Sequence, residues 1–83
     1  MNRHKLLRKV LAGPNNIQFS EMGNLLAGFG FVLSRTSGSH HIFERPGIPE
    51  LVNIQNVKGQ AKSYQIRQFL KLVEKYNLQL EED

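Results

Sequence analysis

Apolar residues recur at helical spacing in three stretches of the chain, and at strand spacing between the second and third. Leu6, Leu7, Val10 and Leu11 share one face at intervals of one, three and four, which predicts a short helix over 2–12. His4, Lys5, Arg8 and Lys9 take its solvated face, and Gly13-Pro14-Asn15-Asn16 stops it. Met22, Leu25, Leu26 and Phe29 form a second stripe, with Ser20 as the expected N-cap, Glu21 in the first turn and Gly30 as the left-handed end. Gly23 and Gly28 each weaken such a helix by about 1 kcal/mol relative to alanine, so packing must hold it. The clearest stripe is Ile66, Phe69, Leu70, Val73 and Tyr76, with Ser63 as N-cap and Arg67, Lys71 and Lys75 opposite.

The intervening run reads as strands. Phe31 to Thr36 is rich in strand formers, Ser37-Gly38-Ser39 is a turn, and His40 to Arg45 pairs back as a hairpin. Pro46-Gly47-Ile48-Pro49 is a second turn, where two prolines argue against a strand. Leu51 to Gln55 is a third strand, and Asn56 to Ala61 a loop with Lys58 and Gly59 at its tip. The expected fold is α+β in the order α-α-β-β-β-α, a three-stranded antiparallel sheet covered on one face by helices. From its second helix onward this is the order of a double-stranded-RNA-binding domain. Residues 1–83 make one domain, with an extra N-terminal helix over about 2–12, a core over about 19–76 and an acidic tail over 77–83.

Charge adds a partner to this picture. The chain carries +4, yet three of its seven acids are the terminal Glu81-Glu82-Asp83. Residues 1–80 hold eleven Lys and Arg against four Glu, a balance that suits a phosphate backbone, and the acidic end is expected to fray. With no cysteine, disulfides and thiolate-bound zinc are excluded. No apolar run approaches the roughly 20 residues of a membrane span, and the N-terminus lacks the pattern of a signal peptide, so a cytoplasmic protein is expected.

The candidate chemistry sits in Ser37-Gly38-Ser39-His40-His41-Ile42-Phe43. Histidine alone exchanges a proton near neutral pH with its unperturbed side chain. Adjacent strand residues face opposite ways, so His40 and His41 are ill placed to share a metal, and Glu44 and Glu50 complete no ligand spacing. The serines lack a nucleophile motif, and Gly38 is a single glycine with no phosphate loop around it. RNA cleavage demands less, because the ribose 2′-hydroxyl is the nucleophile and the protein supplies a proton carrier and cations. The plain alternative is structural: one histidine half-buried in the strand, the other facing solvent.

Gly30-Phe31 after a helix, a basic strand, then Gly38-Ser39-His40-His41-Ile42-Phe43, a third strand and a closing amphipathic helix resemble the HicA toxins of bacterial toxin–antitoxin systems. The resemblance spans about Phe19 to Tyr76. It implies an mRNA-cleaving endoribonuclease that uses neither metal nor cofactor and is neutralised by a HicB-like antitoxin. By position, His40 would be the general acid or base, with His41 as the alternative, and Gly38 and Ser39 would shape the turn that presents it. Arg35, Lys58, Lys62, Arg67 and Lys71 are the candidate phosphate contacts. The chain departs from the family pattern where many members carry V-P-x-H; here that stretch is Val52-Asn53-Ile54-Gln55.

Overall fold

The computed structural model describes residues 2–81. Helix α1 (Arg3–Ala12) and helix α2 (Phe19–Gly28) precede strands β1 (Val32–Ser37), β2 (His40–Arg45), β3 (Ile48–Val57) and β4 (Gln60–Ala61), and helix α3 (Ser63–Tyr76) closes the order. The sheet is an antiparallel meander, β1-β2-β3-β4. The α+β order and the antiparallel sheet agree with the sequence. The expected loop after β3 is a correction: β3 runs on to Val57 and turns through Lys58-Gly59 into the two-residue β4, so the sheet has four strands.

Two helix starts also move. Asn2 caps α1 by accepting the Lys5 N–H at 2.9 Å. Helix α2 begins at Phe19, ahead of Ser20, because its entry is tied to the sheet: Phe19 N–H donates to Gly59 O at 2.8 Å and Ala61 N–H to Ile17 O at 2.9 Å. Glu21 accepts the Gln18 N–H at 3.0 Å and pairs with Lys9 of α1 at 3.0 Å. These contacts, the Gln18 N–H first, hold its carboxyl below the usual carboxylate range. In α3, Ser63 is the first helical residue and Lys62 occupies the cap. Gly30 does end α2 in the left-handed region, at φ +86, with Phe31 N–H returning to Leu26 O at 3.0 Å.

Pro49 lies inside β3, against expectation. The ladder to β2 restarts at the Arg45–Ile48 pair after a register shift, so the residue that follows Ile48 turns its backbone nitrogen away from β2. Within β3 only Asn56 and Val57 pair with β4, which leaves that side of Pro49 without a partner strand.

Phe43, Val52 and Ile54 point to the helical side and are buried with Met22, Leu25, Leu26, Ile66 and Phe69. Phe69 lies edge-on to Phe29 and Phe31, each with ring centroids 5.6 Å apart. β1 sits at the sheet edge with all six residues exposed. The segment after α3 returns to the body of the fold as far as Glu81. Leu78 and Leu80 pack on the core, Glu81 N–H donates to Gly28 O at 2.8 Å, and Arg3 donates to Glu81 O at 3.2 Å. Glu82 and Asp83 lie outside the described residues.

Glu50 of β3 ties the C-terminal half of α3 to the sheet. It accepts from Lys75 Nζ at 2.7 Å and from the Tyr76 hydroxyl at 2.6 Å. Those two donors, Lys75 first, lower its pKa from 4.5 to about 2, while Lys75 and Tyr76 are both raised by the carboxylate. A depressed folded-state pKa stabilises the fold above about 4.5, and the contribution fades as pH falls toward about 2. Urea unfolding of wild type and Glu50→Gln should therefore differ most at pH 5 and above, with the gap closing towards pH 2. A gap that stays constant over that range would show that the charge of Glu50 does not matter.

Candidate nucleic-acid interface

Two hairpin turns meet at one end of the sheet. Ser37 pairs with His40 around Gly38-Ser39, and Gly38 takes φ +59, the positive value a II′ turn needs at its first central residue. Val57 pairs with Gln60 around Lys58 and Gly59, at φ +52 and +86, the I′ signature. A lysine in the left-handed region is strained by about 1–2 kcal/mol. Asn56 offsets part of it, its Oδ1 accepting the Gly59 N–H at 2.8 Å. Asn56 N–H donates to Ser39 O at 2.9 Å, which locks the two turns side by side. The first residues of α2 and α3 come to the same end, through the Phe19–Gly59 bond and through Gln65.

Gln65 is the buried polar residue of this region, 3% exposed. Its Oε1 accepts the Gln55 backbone N–H at 2.7 Å, on the β4 edge of β3 just past the point where β4 ends. Its Nε2 donates to Gln55 Oε1 and to the Tyr64 hydroxyl, each at 3.3 Å, and Gln55 Nε2 reaches Ser39 Oγ at 3.5 Å. One side chain thus replaces a missing strand partner and joins α3 to the turn.

The two histidines are half-buried and face opposite ways. His41 lies on the helical side, its ring 4.4 Å from that of Phe19, with Nδ1 3.1 Å from Ser39 O. A carbonyl only accepts, so Nδ1 carries the hydrogen there, and in the neutral ring Nε2 is left with the lone pair. His40 lies on the other face of the sheet, with Nδ1 3.2 Å from Asn53 Oδ1 and 3.0 Å from Asn53 Nδ2. No protein group among the described residues engages either Nε2. Among the described residues no three His, Asp or Glu side chains converge on one point.

The candidate cations spread out from this end. Lys58 sits at the tip of the β3–β4 turn, and Lys62 caps α3 with Nζ 5.9 Å above the Tyr64 ring. Arg35 is exposed on β1, two residues before the first turn. Arg67 and Lys71 are exposed along α3, with Lys71 about 12 Å from the helix start at 1.5 Å per residue. Lys58 and Lys62 therefore flank β4 at this end of the sheet, while Arg67 and Lys71 follow along α3. Asn53, Gln55, Gln65 and Phe19 are neighbours that sequence reasoning missed. The pairing of His40 with Gln55 and of Ile42 with Asn53 is the signal that finds the first two, and it requires the strand register.

The sequence model described as HicA toxin of bacterial toxin-antitoxin matches residues 19–74, from the first residue of α2 nearly to the end of α3. The chain belongs to the HicA toxin family. It is the toxin side of a toxin–antitoxin pair, and a cognate antitoxin is its partner. Searches of the curated proteins and of the solved structures return no match. In this HicA toxin α1 lies outside the matched region, while the paired turns, both histidines and the candidate cations Arg35, Lys58, Lys62, Arg67 and Lys71 fall within the family portion.

Removing the carbonyl of Gln65 isolates its part. Gln65→Met keeps the volume and leaves the Gln55 N–H unpaired, which should cost about 1–3 kcal/mol in urea unfolding. The Gln55 amide should also exchange its hydrogen faster. Unchanged protection at Gln55 would contradict the assignment.

Proposed function

We propose that this HicA toxin is a metal-independent endoribonuclease that cleaves mRNA, with His40 as the proton carrier. The observation that carries the reading is the His40 ring: anchored through Nδ1, bare at Nε2, and set beside the turn that Asn56 ties to the Lys58-Gly59 turn. In the proposed step His40 Nε2 takes the proton of a ribose 2′-hydroxyl. The 2′-oxygen bonds to the adjacent phosphorus, and the bond from phosphorus to the 5′-oxygen breaks. The products are a 2′,3′-cyclic phosphate and a 5′-hydroxyl, the leaving oxygen taking its proton from water and His40 later returning its own to solvent. Lys58, Lys62 and Arg35 offset the charge that builds on the phosphate, and Arg67 and Lys71 hold the strand further along. General acid–base help of this kind is worth about 10²–10⁴-fold. The antitoxin would neutralise the toxin by covering this end, presenting acidic groups to the same lysines.

One observation favours His41 in the same role: its Nδ1–H to the Ser39 carbonyl fixes the ring with Nε2 free. A binding-only reading draws on the stretch from Val52 to Asn56, which has neither the proline nor the second histidine of the V-P-x-H pattern.

The test is growth arrest on expression together with cleavage of RNA by purified protein in EDTA, for wild type, His40→Ala and His41→Ala. Wild type should arrest growth and cut RNA. His40→Ala should fold, by its circular dichroism, and lose at least about 100-fold in cleavage. Full activity in folded His40→Ala with loss in His41→Ala would transfer the role to His41. Intact RNA with all three, alongside salt-sensitive binding, would leave a non-catalytic RNA-binding protein.

A further inference from the structure

On the face of the sheet that carries His40, β3 contributes Leu51, Asn53 and Gln55. His40 stands opposite Gln55 and Ile42 opposite Asn53, so Asn53 is the diagonal neighbour of His40, within reach of a planar ring. Its amide has no other side-chain partner among the described residues and lies 3.0–3.2 Å from His40 Nδ1 through either of its atoms. Both residues are half-buried, which limits competition from water.

We infer that Asn53 is a positioning residue for His40: it holds Nδ1 through its amide oxygen and so aims Nε2 outward as the atom that exchanges the proton. This rests on the nuclease reading above. The choice of an amide matters. An amide oxygen accepts from Nδ1–H in the neutral ring and again in the imidazolium, so the ring keeps its anchor while Nε2 gains and loses a proton. A carboxylate would favour the charged ring, and an apolar residue would leave the ring free to turn. The charged groups sharing this face are Arg35 on β1 and Glu44 further along β2, and β3 supplies only the neutral Leu51, Asn53 and Gln55. Lys58 stands beyond the next turn. A charge placed at position 53 would therefore meet the His40 ring with no other charged group of β3 beside it.

The experiment compares wild type, Asn53→Val and Asn53→Asp by ¹⁵N NMR of the histidine rings without RNA, and by the pH profile of RNA cleavage. Valine is a better strand former than asparagine, so the fold should survive. In wild type the neutral His40 ring should carry its hydrogen on Nδ1. In Asn53→Val that preference should vanish and kcat fall about tenfold, a part of the general acid–base contribution, with KM little changed. In Asn53→Asp the His40 titration midpoint should rise by about one pH unit, and the acid limb of the cleavage profile should follow it, while His41 stays put. A His40 midpoint and tautomer indifferent to both variants, in a protein that cleaves RNA, would overturn the inference alone. A shifted ring with an unshifted cleavage profile would overturn it as well. Failure of wild type to cleave RNA would overturn the nuclease reading and take the catalytic meaning of the pair with it.

Discussion

β3 must be held on both edges between Gln55 and Val57, and the arrangement at the histidine end depends on this. On one edge the Asn56 N–H reaches Ser39 O of the neighbouring turn. On the other, β4 pairs with Asn56 and Val57, and Gln65 takes the Gln55 N–H where β4 has no residue to offer. A strand end with a free edge would twist and fray. Here the second edge is filled by a two-residue strand and one buried amide, which fixes β3 against β2 and sets the two turns together. The starts of α2 and α3 are secured by the same contacts, since Gly59 receives the Phe19 N–H and Lys62 follows β4 directly.

The register that results divides the paired histidines. Being adjacent in a strand, they cannot act on one phosphate from the same side. His41 turns to Phe19 and the helical layer, and His40 to Asn53 on the opposite face. Each ring is anchored at Nδ1 and bare at Nε2, so the local chemistry suits both, and the face of the sheet separates them. Lys58 and Lys62 come from elements on either side of β4, which is why a strand of two residues matters to charge placement at this end.

Much of this was legible in the sequence, and what was hidden has physical causes. Helical spacing found α1, the body of α2 and α3, because each buries one continuous stripe. β2 was found to the residue, bounded by Gly38-Ser39 and Pro46-Gly47. β4 was hidden because Lys58-Gly59 is an uncommon pair for a I′ turn and Gln60-Ala61 has no strand-forming residue. Its pairing partners, Asn56 and Val57 on one side and the chain around Gln18 on the other, include a long-range contact that no local pattern records. Ser20 and Ser63 suggested caps, but the α2 cap lies two residues earlier, at Gln18, and the α3 cap one earlier, at Lys62. Of the site, His40 and the turn that presents it were visible, as were the cations. Asn53, Gln55 and Gln65 were not, since neutral amides carry no signal until the register brings them beside a ring or an unpaired N–H.

The claim at the centre is that RNA meets the molecule where the two turns lie together, with the His40 ring at the contact. Mapping NMR shifts on adding an RNA with 2′-O-methyl riboses, which binds but has no free nucleophile, tests it directly. The account predicts the largest changes at the His40 ring, in Ser37 to Ser39 and from Lys58 to Lys62, with the exposed face of α1 little affected. Changes centred on α1 or on the Pro46-Gly47 turn, with the His40 ring unmoved, would contradict it.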